Sequence, residues 1–125
     1  MSARPLATEL VVVRPGPLLT VQDLGRRGHA HLGVPRSGAA DLGSHARANA
    51  AVGNDPGAAT LETTLGGCVL RATGAAVVAV AGARCDVFVG GVPAPWGSPF
   101  RVAAGQTVEV GPALAYPDGS EVWAL

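Results

Sequence analysis

Short valine-rich runs, broken at close intervals by glycine and proline, set the tightest limit on what this chain can fold into. The 18 glycines and 10 prolines lie between those runs instead of forming one low-complexity block, so they act as turn punctuation. Punctuation at that spacing is the pattern of many short strands. The runs are Glu9 to Arg14, Leu19 to Val21, Thr60 to Leu65, Val69 to Ala72, Ala76 to Ala81, Asp86 to Val89, Phe100 to Val102, Thr107 to Val110 and Glu121 to Leu125. They predict a mainly β chain, arranged as a barrel or a sandwich. Gly90-Gly91 stands between Val87-Phe88-Val89 and Val92, where both central residues of a two-residue hairpin turn need positive φ, so these flanks are expected to pair antiparallel. Ala104-Gly105, between Arg101-Val102 and Thr107 to Val110, repeats the device less sharply.

One helix interrupts the strands. Asp41 is placed to cap it, the stretch Leu42 to Val52 is alanine-rich, and Gly53-Asn54 supplies a left-handed stop. Asp41, His45 and Asn49 fall at i, i+4 and i+8 and so stack on one face, while Leu42, Ala46 and Ala50 line an adjacent one. The helix reads as weakly amphipathic, with the apolar face the natural one to bury.

Composition narrows the function classes. A length of 125 residues suits one domain with one core. With 48% apolar and 14% charged residues the chain is too apolar for disorder. Basic and acidic side chains balance at 9 each, which removes the charge bias that nucleic acid or an anionic membrane surface would call for. All the basic residues are arginines, so an internal Schiff base, a phosphate-loop lysine and a biotinyl-lysine are excluded for these residues. Any ATP or biotin in the chemistry therefore has to come through a partner subunit, and no cofactor bound by this chain is expected. Cys68 and Cys85 lack a Cys-x-x-Cys or histidine context for zinc and read as buried free thiols. The apolar run Leu10 to Val13 is shorter than the roughly 7–15 residues of an export signal, and no run approaches membrane length, so a cytoplasmic location is expected.

Side chains able to do chemistry crowd into one segment, Val21 to Glu62: Gln22, Asp23, Arg26, Arg27, His29, His31, Arg36, Ser37, Asp41, His45, Asn49, Asn54 and Glu62. Glycines within it let a loop bring backbone amides close to a ligand, although a solvated connection has the same composition. His29 and His31 alternate and would point the same way on an extended segment, but no third ligand stands at a recognised metal spacing, so loop hydrogen bonding explains them more simply. Asp23 with Arg26 fits either an anion or amide clamp or a turn salt bridge. Ser37 lacks the Gly-x-Ser-x-Gly surroundings of an esterase nucleophile, and its hydroxyl reads as a donor to substrate or to the turn. Glu62 alternates with Leu61 and Thr63 on a strand, which makes a solvent-facing carboxylate the plain expectation.

Thr20-Val21-Gln22-Asp23-Leu24-Gly25-Arg26, Gly33-Val34-Pro35, Ser37-Gly38-Ala39, Asp41, Ala48-Asn49, Val52-Gly53-Asn54 and Leu61-Glu62-x-Thr64-x-Gly66-Gly67 occur in that order. This ordered pattern closely resembles the 5-oxoprolinase C-component family, also called KipA, allophanate hydrolase subunit 2 or biotin-dependent carboxyltransferase. The resemblance runs from about Leu18 to Gly111 and covers the N-terminal half of the family's architecture, so a single barrel domain without the family's second barrel-like half is expected. It implies a cyclophilin-like β-barrel with one short helix, a KipI-like partner (similar to the B-component of 5-oxoprolinase), and work on a small amide or lactam. The activity implied is ATP-dependent opening of 5-oxoproline to glutamate, or else the carboxyltransferase part of a urea carboxylase or allophanate hydrolase system.

Either task polarises a carbonyl and moves a proton near nitrogen. On the resemblance, Asp23, Arg26, His29 and Asp41 are the catalytic candidates, and Gln22, Ser37, Asn49, Asn54 and Glu62 the substrate-binding ones. The family's helix carries larger apolar residues where this chain has His45, Ala50 and Ala51, so packing near the helix is expected to differ. Two other readings compete: a non-catalytic binding or regulatory module that retains the partner surface, and an unrelated small barrel that binds sugar or peptide.

Overall fold

The structure is a computed structural model that describes residues 7–25, 28, 30–33 and 37–114. Nine strands, one α-helix and one 3-10 turn (Ala30–Leu32) are described, in this order for the strands and helix: β1 (Leu10–Arg14), β2 (Leu19–Gln22), α1 (Leu42–Val52), β3 (Thr60–Thr63), β4 (Cys68–Ala72), β5 (Ala76–Val78), β6 (Val87–Val89), β7 (Val92–Ala94), β8 (Phe100–Val102) and β9 (Thr107–Val110). All strand pairs are antiparallel. They form a five-stranded sheet in the order β1-β4-β9-β6-β7 and two ribbons, β2-β3 and β5-β8. The chain is mainly β with one helix, as its punctuation predicts.

Period-two alternation builds the core. Along β4, Cys68, Leu70 and Ala72 point inward, and along β9 Val108 and Val110 do the same. These side chains join Val80, Cys85, Val87 and Val102 in one buried cluster, against which Leu19, Leu61, Val78 and Phe100 pack from the two ribbons. The ribbons are thereby anchored to the sheet by apolar contact and not by backbone pairing.

The Gly90-Gly91 turn behaves as expected: φ is 56° and 81°, and Val89 pairs with Val92 across it. This gives β7, which the valine-run reading omits because Pro93 interrupts it. The Ala104-Gly105 expectation is corrected. The turn exists, with Gln106 N–H donating to Ala103 O at 3.1 Å, but β8 pairs with β5 while β9 lies between β4 and β6, so the turn moves the chain between sheets and makes no hairpin. Strand β3 stops at Thr63, and Leu65 just beyond it takes a φ of 61°, a conformation no strand carries. The strand expected at Glu121 to Leu125 lies outside the described residues.

Helix α1 has the expected length and caps. Asp41 accepts from Ser44 N–H at the start, and Gly53 is left-handed at the end. Its orientation corrects the amphipathic expectation: Ala46 and Ala50 are exposed, and the buried side chains are Ser44, His45 and Asn49. A polar face turns inward because each of its groups finds a partner there.

Candidate functional site

Two loops and the buried face of α1 converge on the β2-β3 ribbon. Gln22 ends β2 and donates through Nε2 to Thr20 Oγ1 at 3.0 Å. The chain then turns at Asp23, whose Oδ1 accepts from Gly25 N–H at 2.8 Å. Asp23 also accepts on its backbone carbonyl from Ala39 N–H at 2.9 Å, which ties this loop to the one preceding α1. Gly38 makes that approach feasible: at φ 89°, a Cβ on it would meet Gly25 N at 2.6 Å and Gly25 Cα at 2.7 Å. Ser37, immediately before it, also has positive φ, at 54°.

Glu62 closes the cluster. Its Oε2 accepts from Ala40 N–H at 2.9 Å in a solvent-accessible contact, so the half-buried carboxylate holds the loop from the ribbon side in addition to facing solvent. Asp41 uses both carboxylate oxygens on α1: Oδ1 accepts from Ser44 N–H at 3.0 Å and Oδ2 from Ser44 Oγ at 2.6 Å. The Ser44 hydroxyl and amide, helped by the positive charge of Arg47 and opposed by partial burial, hold the Asp41 carboxyl below its ordinary value. Arg47 in turn donates to Ser44 Oγ at 2.8 Å.

Deeper in, His45 and Asn49 staple the segment after the helix. His45 Nδ1 lies 2.9 Å from Thr60 Oγ1 and Nε2 lies 3.2 Å from Pro56 O. Asn49 Nδ2 donates to Ala58 O at 2.9 Å and lies 3.3 Å from His45 Nε2. Both imidazole tautomers are satisfied. With the proton on Nε2 the ring donates to Pro56 O and accepts from Thr60, and with it on Nδ1 the ring donates to Thr60 and accepts from Asn49. Asn54 reaches Asn49 Oδ1 at 3.5 Å. His45 thus forms a polar clamp between the helix and the segment that follows it.

Between α1, the β2-β3 ribbon, β5 and the inner face of β4 and β9 lies a cavity of about 270 Å³. Asn49, Asn54 and Glu62 of the expected binding set line it, and so do His45, Thr60 and Thr63. Gln22, Asp23, Ser37 and Asp41 are not among its lining residues: Gln22 ends β2, Asp23 and Ser37 belong to the two loops, and Asp41 caps α1. Arg26 and His29 lie outside the described residues. His31 sits exposed in the 3-10 turn, and among the described residues no group of three His, Cys, Asp or Glu side chains is placed to hold a metal ion. Thr63 escaped notice in the sequence, although its alternation with Leu61 already puts it on the core-facing side of β3. Cys68 and Cys85 are buried free thiols, as expected. Burial raises both thiols, and the Asp86 charge and the neighbouring Cys68 add to the effect at Cys85, which leaves neither prepared as a nucleophile. No helix among the described residues is long and apolar enough to cross a membrane.

The fold recurs in known proteins. The chain is 39% identical over 77 residues to the C-component of the Escherichia coli 5-oxoprolinase, covering 62% of this chain and 25% of that protein. It is 33% identical over 105 residues to urea amidolyase of Saccharomyces cerevisiae, covering 83% of this chain but 6% of that protein. The crystal structure of the Kluyveromyces lactis urea carboxylase superimposes with a TM-score of 0.82 at 34% identity, over 85% of this chain and 10% of the other. The chain therefore spans a quarter or less of the length of these relatives. Residues 32–118 match the model of the carboxyltransferase domain, subdomain A and B, and the chain belongs to that carboxyltransferase-domain family.

Proposed function

We propose that the chain serves as a component of a KipI/KipA-type complex acting on a small amide or lactam, with ATP-dependent hydrolysis of 5-oxoproline to glutamate as its reaction. The observation that carries this reading is the 39% identity to the 5-oxoprolinase C-component; beside it stand the loops at Asp23 and Gly38, which are locked together by backbone contact. A rigid loop pair is what a carbonyl-polarising site requires, since donors must stand in place before charge develops. In this reading Asp23 handles the proton at nitrogen from an exposed carboxylate steadied at Oδ1. Arg26, His29 and Ser37 remain candidates on the sequence resemblance alone. Asp41, Asn49, Asn54 and Glu62 shape the loops and the helix behind it. ATP, and biotin where it takes part, enter through partner subunits, with a KipI-like subunit the first of them.

The carboxyltransferase part of a urea carboxylase or urea amidolyase is the second reading. It is favoured by the longer match to those proteins, 83% of this chain against 62% for the 5-oxoprolinase component. One reconstitution separates the two. The chain is mixed with a KipI-like subunit and the ATP-using subunit, and glutamate release from 5-oxoproline is followed beside a working full-length control. Release supports the first reading. No release, with ATP-dependent carboxylation of urea when biotin-carboxylase components are supplied instead, transfers the assignment to the second. Failure of both, with retained affinity for the KipI-like subunit, leaves a non-catalytic module.

A further inference from the structure

Three exposed leucines gather where the described chain finishes. Leu18, Leu65 and Leu114 are 53%, 43% and 45% exposed. Backbone bonds set their segments side by side: Thr64 N–H donates to Leu18 O at 3.1 Å, and Ala113 N–H to Leu65 O at 3.2 Å. A single exposed leucine is ordinary, whereas adjoining ones mark a surface that something covers.

Leu65 is the informative member. Its φ of 61° is left-handed, a conformation that strains any residue with a Cβ and that glycine adopts freely. Among the described residues every other left-handed position except Ser37 is a glycine. The chain therefore keeps a leucine where glycine would sit without strain. Core packing does not explain the choice, because Leu65 is neither buried nor among the side chains packed against the buried cluster. Strain retained without a backbone or core reason points to a contact made by the side chain itself.

The chain's own continuation is the first thing to reach the patch. Leu114 is fixed through its N–H to Arg84 O at 2.8 Å, and residues 115–125 follow it, with Tyr116, Val122, Trp123 and Leu125 among them. The extended chain from Leu114 to Trp123 reaches roughly 30 Å, which is ample for neighbouring side chains. A tether this short holds Trp123 at an effective concentration on the order of millimolar at the patch, so a free partner or a second copy competes at a disadvantage. We infer that Trp123 docks on Leu18, Leu65 and Leu114, with Leu65 held in its strained conformation to present its side chain to the indole ring. This docking is independent of the reaction proposed above, since it needs only the folded chain.

The chain has 2 tryptophans, so the full chain labelled with 5-fluorotryptophan gives a separate fluorine NMR signal for Trp96 and for Trp123, assigned by the loss of one in Trp123→Phe. The Trp123 signal is expected to stand away from that of free 5-fluorotryptophan and to move little between light and heavy water. Leu65→Gly removes the side chain and relieves the backbone together, so the fold is retained. It is expected to move the docked-to-free ratio about tenfold toward free, and the Trp123 signal with it. Leu18→Ser is expected to act in the same direction, while Val92→Ser, at a valine 65% exposed on β7, leaves the signal in place. A Trp123 signal matching free 5-fluorotryptophan in the unaltered chain overturns the inference. So does a signal that neither Leu65→Gly nor Leu18→Ser moves, or one that depends on protein concentration, which assigns the patch to a second copy.

Discussion

Gly38→Ala tests whether the two loops of the candidate site must touch. Two costs add. A left-handed φ of 89° is strained for any residue with a Cβ, at about 1–2 kcal/mol. The new Cβ would also fall 2.6–2.9 Å from the backbone of Leu24 and Gly25, and backbone cannot rotate aside as a side chain does. The loops must separate, which puts at risk the Ala39 N–H to Asp23 O bond and the Ala40 N–H to Glu62 bond, both 2.9 Å. A neutral bond of this kind contributes about 1 kcal/mol and a carboxylate-accepted one somewhat more, with the second discounted because that contact is solvent-accessible. The expected loss is about 3–4 kcal/mol. Gly53→Ala is the internal control, because Gly53 has φ 77° and nothing within 4 Å of a Cβ, so it incurs the conformational cost of about 1 kcal/mol alone. Urea unfolding of both variants, followed by circular dichroism, measures the difference. If Gly38→Ala loses no more than Gly53→Ala, the loops do not depend on each other, and the rigid loop pair behind the proposed activity fails with them.

Two further perturbations probe the helix. Asp41→Ala removes the N-cap and is expected to lower stability by about 1 kcal/mol, whereas Asp41→Asn, an equally good cap, loses much less. Because the folded Asp41 carboxyl sits below its ordinary value of 3.8, its charge-dependent contribution is present above that value and disappears as pH falls through the folded one. The stability gap between wild type and Asp41→Asn in guanidinium titrations should therefore be larger at pH 7 than at pH 3, and a gap that does not change refutes the assignment. His45→Leu keeps an apolar filling but strips Thr60 Oγ1 and Pro56 O of the imidazole, with an expected loss of about 2–3 kcal/mol. A loss below about 0.5 kcal/mol in urea unfolding would show that the clamp contributes little beyond packing.

What the sequence disclosed was local. The caps of α1 were legible because Asp41 and Gly53 each act on neighbouring backbone groups, and the Gly90-Gly91 hairpin because its turn chemistry determines its pairing. The helix orientation was hidden. Burying Ser44, His45 and Asn49 becomes favourable only when Asp41, Thr60 and the carbonyls of Pro56 and Ala58 are present to meet them, and most of these arrive from beyond the helix. The separation of β8 from β9 was hidden for a similar reason, since a turn records how the chain reverses but not which strands await it. In the site, the hold of Glu62 on the loop was hidden because its partner, Ala40, is 22 residues away. The cavity has no sequence signature, because it is space left between elements that do not adjoin in the chain.

The order of the five-stranded sheet leaves β1 and β7 at its margins. With a formal net charge of zero, long-range repulsion does nothing to hold copies of this chain apart in solution, so for this sheet resistance to fibre-like stacking falls to its two margins. Pro93, in the middle of β7, has no N–H to offer an incoming strand. At β1 the register slips between Val12 and Arg14, which bends the most valine-rich strand out of a flat template and ends it on a charge. The same glycine and proline interruptions that divide this chain into short strands thus also help keep its copies from stacking edge to edge.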